Sequence, residues 1–161
     1  MSSGAITIGV ISDTHGLLRP EALAALAGSR YIVHGGDVGR EGILHALERI
    51  APVTVVRGNT DHEEWAQRLP MTDVLEAGGV RIYVLHDVAE LAIDPAAAEI
   101  SVVVYGHSHR PCVEHRAGVL FLNPGAAGPR RFTLPVTIAR LVIDSGRAEA
   151  EIVEIVPPDE P

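Results

Sequence analysis

Five short runs rich in valine and isoleucine constrain the fold of this 161-residue chain more than any other feature of its sequence. Near-continuous apolar runs of this kind are typical of strands that are buried on both faces. The sequence therefore predicts five buried strands. They are AITIGVIS from Ala5, YIVHGG from Tyr31, VTVVRGN from Val53, VRIYVLH from Val80 and SVVVYGH from Ser101.

Helical segments separate the first three runs. RPEALAALAGSR has a proline near its start and a glycine near its end, which suits the two ends of a helix. REGILHALERIA has apolar residues at helical spacing and stops before Pro52. The first half thus predicts the order β-α-β-α-β, and HEEWAQRL, residues 62–69, predicts a further helix.

The second half predicts three hairpins, because alternating segments flank Gly78–Gly79, Ala117–Gly118 and Ser145–Gly146. We expect two sheets packed face to face, one mostly parallel and one mostly antiparallel, with helices outside. Residues 1–156 form one domain in this prediction. Residues 157–161, which read PPDEP, form a disordered tail.

Composition excludes several classes of function. The formal net charge is −8 and aromatic residues make up 4%, so we expect neither a long nucleic-acid groove nor base-stacking platforms. All 13 basic residues are arginine, which excludes the lysine of a P-loop and Schiff-base chemistry.

Location is predicted from what the sequence lacks. Its single cysteine, Cys112, favours a reducing compartment. The N-terminus has no basic segment typical of a signal peptide, and no apolar run is long enough to span a membrane. We therefore expect a cytoplasmic protein without a membrane partner.

Each of the five runs ends in side chains that can bind metal ions. In open α/β sheets, sites form beyond the carboxyl ends of the strands. The sequence therefore predicts that these side chains surround one hollow, with glycines beside them allowing close backbone approach. The seven candidates are Asp13, His15, Asp37, Asn59, His86, His107 and His109.

Taken singly, each candidate has an ordinary explanation. Asp13 or Asp37 could cap a helix, Asn59 could form a turn, and His86 could be a hydrogen-bonded core residue. Their joint placement favours metal binding. Seven nitrogen and oxygen ligands exceed one tetrahedral zinc site and suit two ions that share a carboxylate. Two ions about 3.5–4 Å apart stabilise both the attacking and the leaving oxygen of a displacement at phosphorus.

The motifs DTHG, GGDV, GNTD, LHD and GHSH occur in that order. Together they closely resemble the calcineurin-like metallophosphoesterases, and most of all the compact phosphodiesterases of the YfcE/MJ0936 type. NPG at Asn123 to Gly125 also matches that subgroup. The resemblance extends from Ile6 to about Ile155 and implies an α/β fold, a four-layer α/β/β/α sandwich of two packed mixed β-sheets flanked by helices.

The resemblance also implies a ligand set for two divalent ions, with Asp37 as the bridge and a bridging hydroxide as the nucleophile. Asn59 would in addition lie near the substrate phosphate. Mn²⁺ is the expected metal, and Ni²⁺, Fe²⁺ and Zn²⁺ are alternatives that suit the same donors. One ion would be held by Asp13, His15, Asp37 and His109, and the other by Asp37, Asn59, His86 and His107.

One position departs from the family pattern. Many members carry a histidine after the motif asparagine, proposed to protonate the leaving oxygen, whereas this chain has Thr60. A hydroxyl is a poor general acid near neutral pH. Asp61 and His62 are further catalytic candidates, with His62 as an alternative acid, although residues 60–63 also match a capping box. His34 is either a support for the site or an ordinary buried histidine.

The function expected from these features is metal-dependent hydrolysis of a small phosphodiester substrate. The resemblance also favours homo-oligomers, because small members of this group often self-associate. Two alternatives stay open. One is a non-catalytic metal-binding scaffold of the same fold that serves protein interactions. The other is a nuclease acting on short nucleic-acid ends.

Overall fold

The first sheet of the computed structural model, which describes residues 4–157, has strand order β10-β9-β1-β2-β3. Strand β2 pairs in parallel with β1 and β3, while β9 pairs antiparallel with β1 and β10. These strands are β1 (Ile6–Ile11), β2 (Tyr31–His34), β3 (Val53–Val55), β9 (Val136–Asp144) and β10 (Arg147–Val156).

The second sheet has strand order β4-β5-β6-β8-β7. Its three central strands are parallel, and its two outer strands run antiparallel to their neighbours. These strands are β4 (Thr72–Ala77), β5 (Val80–Leu85), β6 (Val102–Val104), β7 (Cys112–Arg116) and β8 (Val119–Asn123).

Both sheets are mixed, so the expectation of one mostly parallel and one mostly antiparallel sheet is wrong. The three hairpins form where the sequence predicts them, at residues 78–79, 117–118 and 145–146. The last hairpin, however, pairs its β9 strand with β1. It therefore extends the first sheet with antiparallel strands.

Apolar side chains from both sheets meet in the middle of the molecule. Ile8 and Val10 of β1 pack there against residues of the second sheet such as Ile82 and Val104. Alternate residues of the first sheet, among them Ile11, face outward to the helices. Burial on both faces explains why these strands are continuously apolar.

Helices cover the outer face of the first sheet. Helix α1 (Pro20–Leu26) begins at its proline, and α2 (Glu41–Glu48) buries Ile43, Leu44 and Leu47. The outer face of the second sheet is packed by Val88 and Leu91, in and beside a short 3-10 helix (Val88–Glu90). The predicted α/β sandwich is confirmed, with a 3-10 helix and turns forming its fourth layer.

The helix predicted over residues 62–69 is instead a 3-10 helix, Glu64–Arg68. Glu63 precedes it and provides no side-chain cap, so the predicted capping box is absent. The predicted tail falls almost wholly on residues 158–161, which lie outside the described residues. No helix within residues 4–157 is long and apolar enough to cross a membrane.

Candidate metal centre

The seven predicted side chains come together at the carboxyl ends of five strands, three in the first sheet and two in the second. Each of these side chains has a nitrogen or oxygen atom within 3.6 Å of such an atom on the next one. The series runs from Asp13 through His109, His15, Asp37, His86 and Asn59 to His107.

One end of this cluster is formed by Asp13, His15 and His109, which can together hold a metal ion. The Nε2 atoms of the two histidines lie 3.2 Å apart. Asp13 Oδ1 lies 3.7 Å from Nε2 of His15 and 3.4 Å from Nε2 of His109. Two nitrogens that are each about 2.1 Å from one ion lie roughly 3.0–3.4 Å apart, so the imidazole spacing fits a shared ion.

The carboxylate of Asp13 gives a second indication of a cation. Its Oδ2 atom accepts hydrogen bonds from the hydroxyl of Ser12 and the backbone N–H of His107. Its Oδ1 atom is buried and has no hydrogen-bond partner among the described residues. An unsatisfied buried carboxylate oxygen is costly, and a divalent ion between it and the imidazoles would satisfy it.

The other end of the cluster is formed around Asp37 and His86, which with Asp13 make a second possible metal group. Asp37 Oδ2 lies 3.2 Å from Nε2 of His86 and 3.6 Å from Nε2 of His15, so it faces both groups. Asn59 Oδ1 lies 2.9 Å from Nε2 of His86 and 3.1 Å from Nδ1 of His107. The carboxylate of Asp37 therefore lies at the centre of the cluster, where both groups can share it.

The ring of His86 is oriented by a backbone carbonyl. Its Nδ1 atom lies 2.7 Å from the oxygen of Gly35, which can only accept, so Nδ1 carries the proton. The lone pair of the neutral ring is then on Nε2, facing Asp37 and Asn59. Metal-binding histidines commonly donate their other N–H in this way.

Charges in the cluster shift its pKa values. Burial disfavours the charged form of His86, but the bond to Asp37 and the nearby Asp13 outweigh it and raise the pKa of the imidazole to about 9. Burial likewise opposes ionisation of Asp13 and Asp37, yet the neighbouring histidines, together with Ser12 for Asp13 and Thr60 for Asp37, hold the pKa of each carboxyl below its usual range. The carboxylates are therefore anionic and ready to bind a cation at neutral pH.

The backbone is strained where the cluster forms. Nine non-glycine residues within 4–157 have positive φ, and five of them are candidate ligands. Such residues occupy a sparsely populated conformation, and they tend to occur at functional sites. The five are Asp13 (54°), His15 (44°), Asp37 (56°), His107 (70°) and His109 (64°).

Two glycines leave room for the carboxylates. A Cβ atom on Gly58 would overlap the carboxylate of Asp37, and one on Gly106 would overlap Ser12 and lie 2.5 Å from Oδ2 of Asp13. Any other residue would displace these side chains. The glycines of GNTD and GHSH are thus required by close approach of the backbone to the cluster.

The loop from Thr60 to His62 lies beside the cluster. The Thr60 N–H donates to Oδ1 of Asp37 at 2.9 Å. The carboxylate of Asp61 accepts backbone N–H bonds from Val38, Gly39 and Gly58, which ties the loops after β2 and β3 together. His62 is exposed to solvent.

His34 is a neutral side chain that supports the cluster by bonding residues next to the candidate ligands. Its Nδ1 atom accepts from the Gly36 N–H, and its Nε2 atom lies 3.1 Å from Oγ1 of Thr14. That hydroxyl uses its single proton on the Val38 carbonyl, so Nε2 is the donor. Complete burial lowers the pKa of His34 to about 4. The residue joins the loops after β1 and β2.

Sequence reasoning assigned no role to Asn123, although its NPG motif was a signal. Asn123 is fully buried at the end of β8. Its side-chain amide donates to the Gly106 carbonyl and to the Ser108 hydroxyl, each at 3.1 Å, and its Oδ1 atom accepts from the Gly125 N–H. It therefore holds the loop that carries His107 and His109.

This arrangement agrees with the comparison to known families. Residues 6–146 match the model of the calcineurin-like phosphoesterase superfamily domain. The chain belongs to this superfamily. The resemblance inferred from the five motifs is thereby confirmed.

Relatives of known name support the same family. A probable metallophosphoesterase of Methanothermobacter thermautotrophicus is 33% identical over 158 residues, covering 91% of each chain. The phosphodiesterase YfcE of Escherichia coli is 33% identical over 141 residues, covering 71% of this chain and 76% of its own.

Solved structures share the fold. A predicted phosphoesterase of Streptococcus pneumoniae matches with a TM-score of 0.74 at 25% identity, covering 94% of this chain and 91% of its own. Vacuolar protein sorting 29 of Cryptosporidium parvum matches with a TM-score of 0.75 at 19% identity, covering 94% and 98%. The latter likeness concerns the fold alone.

Proposed function

We propose that this protein is a binuclear metal-dependent phosphodiesterase that acts on small phosphodiesters. Membership of the superfamily makes it a metal-dependent phosphoester hydrolase. The observation that carries the binuclear proposal is the position of Asp37, whose Oδ2 atom faces His15 on one side and His86 on the other.

We assign one ion to Asp13, His15, Asp37 and His109, and the other to Asp37, Asn59, His86 and His107. Two ions held there would supply a hydroxide nucleophile at neutral pH and neutralise charge on the phosphate. The donors are imidazole, carboxylate and amide oxygen without thiolate, which suits Mn²⁺ and equally Ni²⁺, Fe²⁺ or Zn²⁺. Mn²⁺ is the metal we propose to test first.

The protein's own residues keep these donors in place. Asp37 is held by the Thr60 N–H, and His86 by the Gly35 carbonyl. Asn59 lies at the exposed side of the cluster with His107, where an incoming phosphate reaches it. We therefore assign Asn59 a further role beside the substrate phosphate, and Asp37 the role of central catalytic ligand.

Protonation of the leaving oxygen needs a donor that Thr60 does not provide. Asp61 is nearly buried and its carboxylate accepts three backbone N–H groups, so we assign it the role of holding the loop. His62 is the exposed titratable side chain beside it, and we propose it as the proton donor.

The role of His62 separates two kinds of substrate. The p-nitrophenolate group leaves without a proton, whereas an alkoxide needs one. We expect His62→Ala to leave turnover of bis(p-nitrophenyl) phosphate unchanged and to slow hydrolysis of an alkyl phosphodiester about 10- to 100-fold. If the unaltered protein and His62→Ala hydrolyse the alkyl ester at equal rates, His62 has no part in the mechanism.

The first experiment is hydrolysis of bis(p-nitrophenyl) phosphate by metal-stripped protein reloaded with Mn²⁺. We expect metal-dependent turnover that Asp37→Asn reduces at least about 100-fold while the fold, measured by circular dichroism, is retained. Asp73→Asn on the exposed face of β4 is the matched control. Full activity in a folded Asp37→Asn protein would refute the proposal.

The shared fold with vacuolar protein sorting 29 favours one second candidate, a metal-binding scaffold for another protein. The seven clustered donors favour the enzyme over this scaffold. A protein that holds two metals but turns over no phosphoester would favour the scaffold. A third outcome, cleavage of short oligonucleotides in preference to other diesters, would indicate the nuclease.

The remaining parts of the proposal concern the setting of the enzyme. We propose residues 1–156 as a single catalytic domain, and a cytoplasmic location because the chain has one cysteine. The net charge of −8 disfavours long nucleic acids as substrates. Homo-oligomers are a prediction that sedimentation can test.

A further inference from the structure

A small cavity adjoins the metal centre on the side of Asn59, His86 and His107. Its volume is about 90 Å³, and the three candidate ligands form one wall. Arg57 and Met71 form another part of the lining. A substrate phosphate placed against Asn59 and His107 therefore reaches the space in front of Arg57.

The guanidinium of Arg57 makes an unusual set of hydrogen bonds. Its Nη1 atom donates to Oε1 of Gln67 at 2.6 Å, which fixes one corner of the group. Its Nε and Nη2 atoms both point to Sδ of Met71, at 3.2 and 3.1 Å. A thioether sulfur is a weak acceptor, so these two donors are poorly satisfied.

The guanidinium of Arg57 has no carboxylate partner in the described chain, unlike those of several other arginines. Arg68, Arg81 and Arg140 each form an ion pair with a glutamate. Within residues 4–157, the guanidinium of Arg57 donates only to an amide oxygen and a thioether. Its charge is available to an anionic ligand.

The two donors that face Met71 are the ones an oxyanion needs. Nε and Nη2 lie along one edge of the guanidinium plane, and this edge binds carboxylate or phosphate oxygens in a bidentate manner. Met71 is 52% exposed and its side chain is flexible, so it can leave this edge with little loss of packing. Asp87 and Glu90 line the same cavity and would repel an anion, a repulsion that the positive charge of Arg57 offsets.

We propose that the Nε and Nη2 edge of Arg57 binds the non-bridging oxygens of the substrate phosphoryl group, with Met71 giving way as the anion enters. This inference rests on the proposed phosphodiesterase function and adds a substrate-binding residue to it. Gln67 keeps the guanidinium aligned through Nη1 during the exchange.

The test uses inorganic phosphate as the probe and Mn²⁺-loaded protein, with binding measured by isothermal titration calorimetry. We expect Arg57→Ala to weaken phosphate binding about 10- to 100-fold, which is the effect of losing hydrogen bonds to a charged group. The KM for bis(p-nitrophenyl) phosphate should rise to a similar extent, while the Mn²⁺ stoichiometry stays the same. Arg57→Lys should recover only part of the affinity because an ammonium is not bidentate.

Two further variants make the test specific. Arg68→Ala removes an exposed arginine of the 3-10 helix Glu64–Arg68, which pairs with Glu41 of α2, and this variant should bind phosphate as the unaltered protein does. Met71→Leu keeps the side-chain volume but removes the competing sulfur, so phosphate should bind up to about threefold more tightly. Weaker binding by Met71→Leu, or binding by Arg57→Ala within twofold of the unaltered protein, would overturn the proposal.

The controls also separate this inference from the function on which it rests. If the unaltered protein turns over the diester with Mn²⁺ and Arg57→Ala does so with the same KM, only the role of Arg57 is refuted. If the unaltered Mn²⁺-loaded protein neither binds phosphate nor turns over the diester, the phosphodiesterase proposal fails together with it.

Discussion

The two sheets contribute different chemistry to the metal centre. The first sheet supplies every oxygen donor, namely Asp13, Asp37 and Asn59, together with His15. The strands of the second sheet supply only imidazoles, His86, His107 and His109. The centre is therefore complete only where the two sheets pack against each other, and an ion bound there would link one sheet to the other.

The two halves also differ in how firmly they are held. In the first sheet, Asp13 and Asp37 are nearly buried, and each has one oxygen fixed by backbone N–H donors. In the second sheet, His107 has a side chain that is 46% exposed, and Nδ1 of the buried His109 lacks a partner among the described residues. We infer that the two carboxylates of the first sheet are pre-organised and that metal binding would order His107 and His109 further.

The largest effect should come from breaking the pre-organised half. Asp13→Asn removes the buried charge that faces three imidazoles, so kcat/KM with Mn²⁺ should fall at least about 100-fold. His107→Ala removes a half-exposed ligand at the rim, and we expect a loss of only about 10-fold. The measurement is diester hydrolysis over a Mn²⁺ titration. A greater loss for His107→Ala than for Asp13→Asn would reverse the comparison.

A smaller effect should follow from loosening the imidazole half indirectly. Asn123→Ala removes the two bonds that hold the loop of His107 and His109, so Mn²⁺ affinity should fall about 10-fold. Thr137→Ala is a matched control, because Thr137 is equally buried and bonds the Pro124 carbonyl without touching this loop. If both variants lose the same affinity, Asn123 acts through general stability alone.

The smallest effect concerns pH, and it contrasts one buried histidine from each sheet. His86 has its pKa raised to about 9, so its stabilisation of the metal-free protein is complete below the unfolded pKa of about 6.5 and is lost as the pH rises through 9. His34 has its pKa lowered to about 4, so its contribution is present above 6.5 and is lost as the pH falls towards 4. The Tm should therefore be highest near pH 6.5 and a few degrees lower at either side.

Two variants show which histidine causes the fall in Tm on each side of the pH profile. His86→Gln should flatten the alkaline side and His34→Gln the acid side, in differential scanning calorimetry of metal-free protein. The lowered pKa values of Asp13 and Asp37 add a loss of stability only below about pH 3.8, outside this window. An unchanged alkaline slope in His86→Gln would show that another group titrates there.

Much of this molecule could be predicted from local sequence signals. The five apolar runs, the three hairpins and the seven donors at strand ends follow from patterning and from a general rule about strand ends. Pairing between distant segments could not be predicted in this way. The β9 and β1 strands lie far apart in sequence, and nothing local indicates that they are antiparallel neighbours.

The roles of the residues that support the metal centre could not be predicted from local sequence patterns either. The roles of His34 and Asn123 depend on bonds to loops that are remote in sequence. A 3-10 helix, Glu64–Arg68, replaces the predicted α-helix, and Asp61 just before it is bound to three backbone groups of the loops after β2 and β3. Local helix signals do not register such tertiary bonds.

The crowding at Gly58 has a practical consequence for redesign. A mutant library made in the GNTD loop would lose nearly every member that replaces this glycine, because its missing side chain is the space occupied by Asp37. His62, four positions further on, is exposed to solvent, whereas Thr60 contacts Asp37 through its N–H. Diversity confined to position 62, the proposed proton donor, would let new leaving groups be selected while the residues that hold Asp37 are kept.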